Sequence, residues 1–312
     1  MRILIADDDP VWRRMIEAML VEFGDDVQAV ADGGEAWEVL SGQDRPALAI
    51  LDWVMPGMDG IDICRKLRTA TDGPYVYVLL LTVKDRKADI VEGFQAGADD
   101  YICKPFDPEE LRGRLRAAQR VMAVHANLLG VQRELEVQAT RDSLTGLWNR
   151  GAILDLLNRE LVRGERAHSP VGVMIADVDH FKHINDSHGH PAGDAVLRQV
   201  AERFQRTVRA YDSVGRYGGE EVLFALPACD LELAGRSGER VRASMVSAPF
   251  DVESALLPVT VTVGVASSIQ APRADARVLV AAADAALYRG KAAGRNRVEL
   301  ATAAEVTAIA GR

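Results

Sequence analysis

A chain of 312 residues is long for one hydrophobic core and comfortable for two domains. Its 48% hydrophobic and 27% charged residues describe an ordinary soluble globular protein, and a net charge of −9 argues against a nucleic-acid polymer as partner. The three scattered cysteines form no metal-ligand or disulfide pattern, and no stretch approaches the ~20 apolar residues of a membrane span, which excludes a membrane-inserted chain and points to the cytoplasm. The opening apolar run is also too short for a signal peptide.

In the first half, short apolar runs alternate with amphipathic stretches. Ile3–Ala6, Ala47–Leu51 and Val76–Leu81 are continuous, as parallel strands covered on both faces require. Helical patterns lie between them, at Val11–Glu22 and Asp59–Arg68. The alternation predicts a doubly wound α/β domain with its site at the carboxyl ends of the strands. At those ends stand Asp7, Asp8 and Asp9, then Asp52, then Thr82, and after Tyr101-Ile102-Cys103 the pair Lys104-Pro105. Clustered carboxylates repel unless a hard cation bridges them, and a lysine with a hydroxyl opposite can stabilise a phosphoryl group on one aspartate. Taken singly, an aspartate there is more often a helix cap.

Residues 1–124 resemble the receiver domain of two-component response regulators, a flavodoxin-like (βα)5 fold. The resemblance implies that Asp52 is the phosphoacceptor, supplied by a cognate histidine kinase. It implies one Mg²⁺ held by Asp7, Asp8, Asp52 and the carbonyl of Val54. Thr82 and Lys104 would contact the phosphoryl oxygens, Tyr101 would change rotamer with Thr82, and Lys104-Pro105 would be cis.

From Pro108 to about Arg141 no strong turn signal occurs. Leu111, Leu115, Ala118, Met122, His125 and Leu129 recur at heptad-like steps, with Leu128, Val131 and Leu135 opening a neighbouring stripe. Two readings follow: a linker over residues 125–141 that forms a short coiled coil in a homodimer, or an amphipathic helix lying on its own domain. Gly130 is a weak point in either, costing about 1 kcal/mol relative to alanine.

The polar turn Arg141–Arg150 opens the second half, followed by a helix over Gly151–Arg163 and an apolar strand, Val171–Ala176, that ends in Asp177-Val178-Asp179. Pro191 suits the first turn of a helix reaching about Arg209. Strands are expected at Val222–Leu226 and Val259–Ala266, and helices near Leu231–Val246 and Arg273–Arg289. The decisive stretch is Arg216-Tyr217-Gly218-Gly219-Glu220-Glu221-Val222, which reads as a β-hairpin whose tip sets two carboxylates beside bare backbone. On its own it is more often an ordinary hairpin with solvated glutamates. Facing an Asp-x-Asp strand end, it outlines a two-metal site for phosphoryl transfer. Lys291 and Arg295 offer charge to a leaving pyrophosphate, and Asn185 with Asp194 offers an amide and a carboxylate to a guanine edge. His183, His188 and His190 fit no helical ligand pair, and a loop or structural role is expected for them.

Over roughly residues 140–300, within a second domain expected to span 142–312, the chain closely resembles the GGDEF family of diguanylate cyclases. The implied fold is α+β, with a mainly antiparallel sheet akin to adenylyl cyclase and polymerase palm domains. Two GTP molecules, one on each subunit of a dimer, would be joined into cyclic di-GMP with loss of two pyrophosphates. The implied catalytic set is Asp177, Lys182, Glu220 and Glu221, with two Mg²⁺ held through Asp177, Glu220 and the carbonyl of Val178. Gly218, Gly219, Phe181, Asn185, Asp194, Lys291 and Arg295 would bind substrate. Arg209-Ala210-Tyr211-Asp212 matches the family's inhibitory product site; a plain i,i+3 salt bridge at a helix end is the bland alternative. Val222 departs from the family's usual phenylalanine and is expected to pack beneath the hairpin. That departure leaves open a catalytically weak domain that only binds GTP or cyclic di-GMP. A hybrid GTP–ATP product is disfavoured by Asp194, and a transcription regulator by the absence of a helix-turn-helix signature.

Overall fold

The apolar runs of the first half form one parallel sheet. The computed structural model describes residues 1–70, 73–83, 87–252, 255–270 and 275–310. Two compact units divide the chain, Met1–Val131 and Gln132–Arg312. The first contains β1 (Arg2–Ala6), α1 (Pro10–Glu22), β2 (Asp26–Val30), α2 (Gly33–Ser41), β3 (Leu48–Asp52), α3 (Gly60–Thr69), β4 (Tyr77–Thr82), α4 (Lys87–Gln95) and β5 (Asp100–Cys103). Its strand order is β2-β1-β3-β4-β5, all parallel. Alternate strand residues feed two cores. Leu4, Ala49, Leu51 and Leu80 pack with Ala36, Leu40, Ile63 and Leu67 of α2 and α3. Ile3, Ile5, Ile50 and Leu79 pack with Ile16 and Leu20 of α1 on the other face. Every strand therefore delivers its carboxyl end to the same rim.

α5 (Pro108–Thr140), 33 residues long, begins in the first unit and ends in the second, running through Gly130 without a break. The two parts of this helix differ in burial. Leu111, Leu115 and Ala118 are buried in the receiver-side core with Met122 packed against it. Val121, Val124, Leu128, Leu129, Val131, Leu135 and Val137 are exposed.

The second unit contains α6 (Arg150–Ala167), β6 (Val171–Val178), α7 (Phe181–His188), α8 (His190–Thr207), β7 (Ser213–Gly218), β8 (Glu221–Pro227), α9 (Leu231–Val246), β9 (Phe250–Val252), β10 (Ala255–Leu257), β11 (Val261–Ser267), α10 (Ala276–Ala292), β12 (Val298–Leu300) and α11 (Ala303–Ala310). The expected start of the penultimate long helix, Arg273, lies outside the described residues; α10 itself is described from Ala276. The main sheet has the order β12-β11-β6-β8-β7 and is antiparallel except where β11 meets β12. β6 is buried along its whole length at the centre. Its even residues join a core with Val196 and Phe204 of α8 and Val241 of α9. Its odd residues join a core with Ile153 of α6 and Leu279 and Ala283 of α10. Asp177 continues the odd set, so its side chain emerges on the α10 side, where that helix ends in Lys291.

Candidate functional site

In the first unit, carboxylate oxygens of Asp7, Asp8 and Asp52 lie within 4.8 Å of one another, the one group of three metal-capable side chains that close among the described residues. Lys104 Nζ sits between two of them, 2.7 Å from Asp7 and 3.0 Å from Asp52. The backbone N–H of Trp53 donates to Asp52 Oδ1 at 2.8 Å. Burial raises the Asp52 pKa; Lys104 and the Trp53 N–H oppose this, and Asp7 adds to it. Three carboxylates against one lysine form an all-oxygen, negatively charged donor set that fits a hard divalent cation. Thr82 is buried at the end of β4, and its carbonyl accepts from the Lys104 N–H at 2.7 Å. Tyr101 is half-buried in β5 with its ring edge-on to Phe94. The side chain of Val54 is exposed in the loop after Asp52. The Lys104–Pro105 peptide is cis, as expected.

In the second unit, β7 and β8 form the hairpin, with Gly219 and Glu220 at its turn. Gly219 has φ +54°, a conformation costly for residues with a Cβ. A register shift between Arg216 and Gly218 bulges the arm at Tyr217 and re-aims the tip. Asp177 is directly opposite Glu221 across β6 and β8. Like charges in that arrangement are destabilising without a cation, and Lys291 Nζ supplies one 2.8 Å from Asp177 Oδ2. Burial raises the pKa of Asp177, Lys291 lowers it, and Glu220 and Asp179 raise it further. Glu221 is likewise raised, by burial first and Asp177 second.

Asp177, Val178, Phe181, Lys182, Glu220, Lys291 and Arg295 line one cleft of about 420 Å³, a size usual for small-molecule sites. His180, His183 and Asp186 also line it, which the sequence did not single out as a site. Glu221, Gly218 and Gly219 adjoin it through the hairpin but are not among its lining residues. The oxygen donors of Asp177 and Glu220, with lysines and an arginine beside them, suit a cation carrying phosphates. Asp179 does not join this donor set: its carboxylate is buried and bonded to Thr260, Thr262 and the Asn296 N–H. The Asp-x-Asp motif therefore offers one acid to the cleft, Asp177, and not two. His183 and His188 lie on α7 and His190 opens α8, so these histidines are helical rather than in a loop.

Asn185 lies on α7 and Asp194 on α8, both outside the cleft lining. Gly193 lets Asn185 lie against α8, because a Cβ there would come within 2.0 Å of Asn185 Oδ1. Gly193→Ala is expected to displace the Asn185 side chain; a crystal structure of the variant checks this, with ordinary far-UV circular dichroism as the folding control.

Arg209 and Asp212 stand at the opposite end of β7 from the hairpin tip. The bland salt bridge is not made. Asp212 accepts from the Arg209 backbone N–H at 2.9 Å, while the guanidinium donates to the Tyr211 hydroxyl at 3.0 Å. Arg240 of α9 is close enough to lower the Asp212 pKa, which burial raises. Nothing in the sequence marks Arg240, since only the fold brings α9 to this spot. At the unit's entry, Asp142 accepts from Thr145 and from Arg216, and Arg216 also donates to the Gly219 carbonyl at 2.8 Å. One arginine thus ties the turn that follows α5 to the hairpin tip.

A family profile described as "Diguanylate cyclase, GGDEF domain" matches residues 139–297, and one described as "Response regulator receiver domain" matches residues 3–116. The chain belongs to the GGDEF family. It is a GGDEF protein with an N-terminal receiver domain. It is 32% identical over 299 residues to the response regulator PleD of Caulobacter vibrioides, covering 95% of this chain and 65% of PleD. It is 37% identical over 216 residues to the diguanylate cyclase DgcP of Pseudomonas aeruginosa, covering 68% of this chain and 32% of DgcP. The chain thus spans less than two thirds of the length of these curated relatives. The solved coiled coil and GGDEF domain of DgcB from Caulobacter crescentus, in complex with c-di-GMP, superimposes with a TM-score of 0.55 at 31% identity, covering 61% of this chain and 99% of that one. No helix of the described residues is long and apolar enough to cross a membrane.

Proposed function

We propose that this GGDEF protein is a diguanylate cyclase controlled by phosphorylation of its receiver, a receiver over residues 1–124 acting through a linker over 125–141 on a cyclase over 142–312. The observation that carries the reading is the shared cleft of Asp177 and Glu220, from two different elements, with Lys182, Lys291 and Arg295 around it. Such a cleft holds a nucleoside triphosphate by its phosphates, and Mg²⁺ bound there withdraws charge from the phosphate oxygens. The 3′-hydroxyl oxygen of one GTP bonds to the α-phosphorus of a second, the bond from that phosphorus to the bridging oxygen of pyrophosphate breaks, and the hydroxyl gives up its proton. Repeating the step in the other direction closes cyclic di-GMP. Glu221, with its raised pKa beside Asp177, is suited to accept that proton. Lys291 and Arg295 offset the charge of the departing pyrophosphate, and Asn185 and Asp194 read guanine.

Two active sites must meet, so the protein acts as a homodimer. The exposed apolar stripe of α5, from Val121 to Val137, is the surface assigned to the second copy. Phosphoryl transfer from a histidine kinase to Asp52 would alter this pairing, and the Asp142–Arg216–Gly219 chain of contacts carries the change in α5 to the hairpin. Arg209 and Asp212, with Arg240 beside them, are assigned to product feedback. The reaction takes place in the cytoplasm. Val222 is buried between Ala176 and Arg216 in the sheet, so the departure from phenylalanine is accommodated within a packed core.

Incubation with GTP and Mg²⁺, with and without beryllofluoride as phosphoryl mimic, tests the proposal by chromatography of the nucleotides. Cyclic di-GMP that rises with the mimic is expected; intact GTP in both arms contradicts it.

The acid limb of metal binding supplies a further check. Since Asp177 and Glu221 titrate above their ordinary values of 3.8 and 4.5, protons compete for the site at higher pH than for exposed carboxylates. Mn²⁺ affinity is expected to fall with decreasing pH before those ordinary values are reached. For stability the sign is the reverse of the usual carboxylate case. The folded state holds these protons more tightly, so the contribution is present at low pH and lost as pH rises through the raised pKa values.

A further inference from the structure

The two acids of Asp177-Val178-Asp179 face different surroundings. Both are buried, but Asp177 lines the cleft, whereas Asp179 does not and is turned into protein donors. The Thr262 hydroxyl donates to its Oδ1 at 2.6 Å. The Thr260 hydroxyl and the Asn296 backbone N–H donate to its Oδ2 at 2.7 and 3.0 Å. A carboxylate oxygen has two acceptor sites, so Oδ2 is fully used within the protein. Its own N–H is held by the Thr260 carbonyl at 2.9 Å, which fixes the residue to the edge of β11.

The third donor lies 117 residues away in sequence, at the end of a turn of unusual backbone. Gly294, Arg295 and Asn296 have φ values of 108°, 64° and 45°. Two consecutive residues with side chains in the left-handed region persist only where the surroundings hold them. Three contacts do so. The Arg295 N–H donates to the Gly290 carbonyl at 3.0 Å, Arg242 donates to Asn296 Oδ1 at 2.9 Å, and the Asn296 N–H donates to Asp179. Of these acceptors only Asp179 is both charged and buried, just past the end of β6, so it gives the turn its strongest and least mobile tie. Arg295, one residue before that tie, lines the cleft with Asp177, Lys182 and Glu220.

We propose that Asp179 is a positioning residue: it pins the left-handed Gly294–Asn296 turn to the end of β6 and so aims Arg295 into the cleft, without itself holding the cation. The proposal rests on the reading of that cleft as a site for metal-bound GTP.

An amide can preserve the tie. In D179N the side-chain oxygen keeps Thr260 and Asn296, and the NH₂ donates to the Thr262 hydroxyl, which accepts as well as it donates. A metal ligand would not survive that loss of charge. The test titrates the full chain, carrying Asp7→Asn and Asp8→Asn throughout so that the receiver site takes no ion, with Mn²⁺ alone and then with Mn²⁺ and a non-hydrolysable GTP analogue, for the otherwise wild-type chain, D179N, D179A, R295A, the D179A/R295A double variant and T262V. Expected are nucleotide affinity within about threefold of wild type for D179N, and losses of roughly 10- to 100-fold for D179A and for R295A, the scale of a charge-assisted hydrogen bond to phosphate. The double variant should be no weaker than R295A within about twofold, because Asp179 acts through Arg295. Mn²⁺ binding without nucleotide should be unchanged throughout. T262V keeps the charge and volume at 179 but removes one donor, and should show a smaller loss; it carries the test with D179N if D179A does not fold. Weakened Mn²⁺ binding in D179N, additive losses in the double variant, or wild-type affinity in both D179A and T262V would overturn the proposal. Wild type that binds no nucleotide analogue would instead overturn the reading of the cleft.

Discussion

Glu220→Ala is expected to lower cyclic di-GMP formation at least about a thousandfold, the scale of losing a group that stabilises charge at the reacting phosphate. Glu220 stands on the hairpin turn, half-buried, and contributes nothing to either core cluster, so the fold should survive. Its neighbours respond in a definite direction. Glu220 helps to raise the Asp177 pKa, so its removal makes Asp177 more acidic and favours its pairing with Lys291. The variant should therefore combine lost activity with an intact or slightly higher melting temperature. Rates by nucleotide chromatography and a thermal melt check both halves, and a variant retaining a tenth of the activity would contradict the assignment.

Asp52→Asn is expected to abolish labelling by acetyl phosphate and, with it, stimulation of the cyclase. In the proposed reaction a carboxylate oxygen of Asp52 would bond to phosphorus as acetate leaves; an amide oxygen is too weak a nucleophile for that exchange. The substitution should not weaken the receiver. Burial disfavours the charged form of Asp52, Asp7 adds repulsion, and Lys104 keeps its 2.7 Å contact with Asp7 when Asp52 is neutral. At neutral pH the variant should melt no lower than the wild type. Mass spectrometry of the acetyl-phosphate reaction reads the first expectation, and label retained on the variant would refute Asp52 as the acceptor.

The sequence was informative where a residue's environment is set by its own neighbours. Buried parallel strands demand continuous apolar runs, so β1, β3 and β4 were visible, and their ends delivered Asp7, Asp52 and Thr82 together. β2 was not read, because it is an edge strand of half-buried residues with a weak pattern. The short elements α7, β9, β10 and β12 also gave no periodic signal of useful length. The hairpin acids and Asp177 were legible because a glycine pair and a strand end are local features. Asp179 was not, since its three donors come from residues 81 to 117 positions away and no local pattern separates it from Asp177. For the same reason Arg240 was invisible beside Asp212. The α5 stripe was seen whole, but the choice between domain packing and a free surface depends on where the receiver sheet stops. Burial ends after Ala118, with Met122 partly covered, and the exposed run of valines and leucines begins at Val121.

The claim on which the rest depends is that Asp177 on β6 and Glu220 on the hairpin hold the same ion. Electron paramagnetic resonance of Mn²⁺ bound to the full chain with a non-hydrolysable GTP analogue tests it, comparing wild type with Asp177→Asn and Glu220→Gln. Both single variants are predicted to lose the part of the bound-ion signal that appears only with the nucleotide, at concentrations that saturate the wild type, while the Asp7–Asp8–Asp52 site keeps its own ion. A normal signal in either one would mean that the two acids do not act on a common cation.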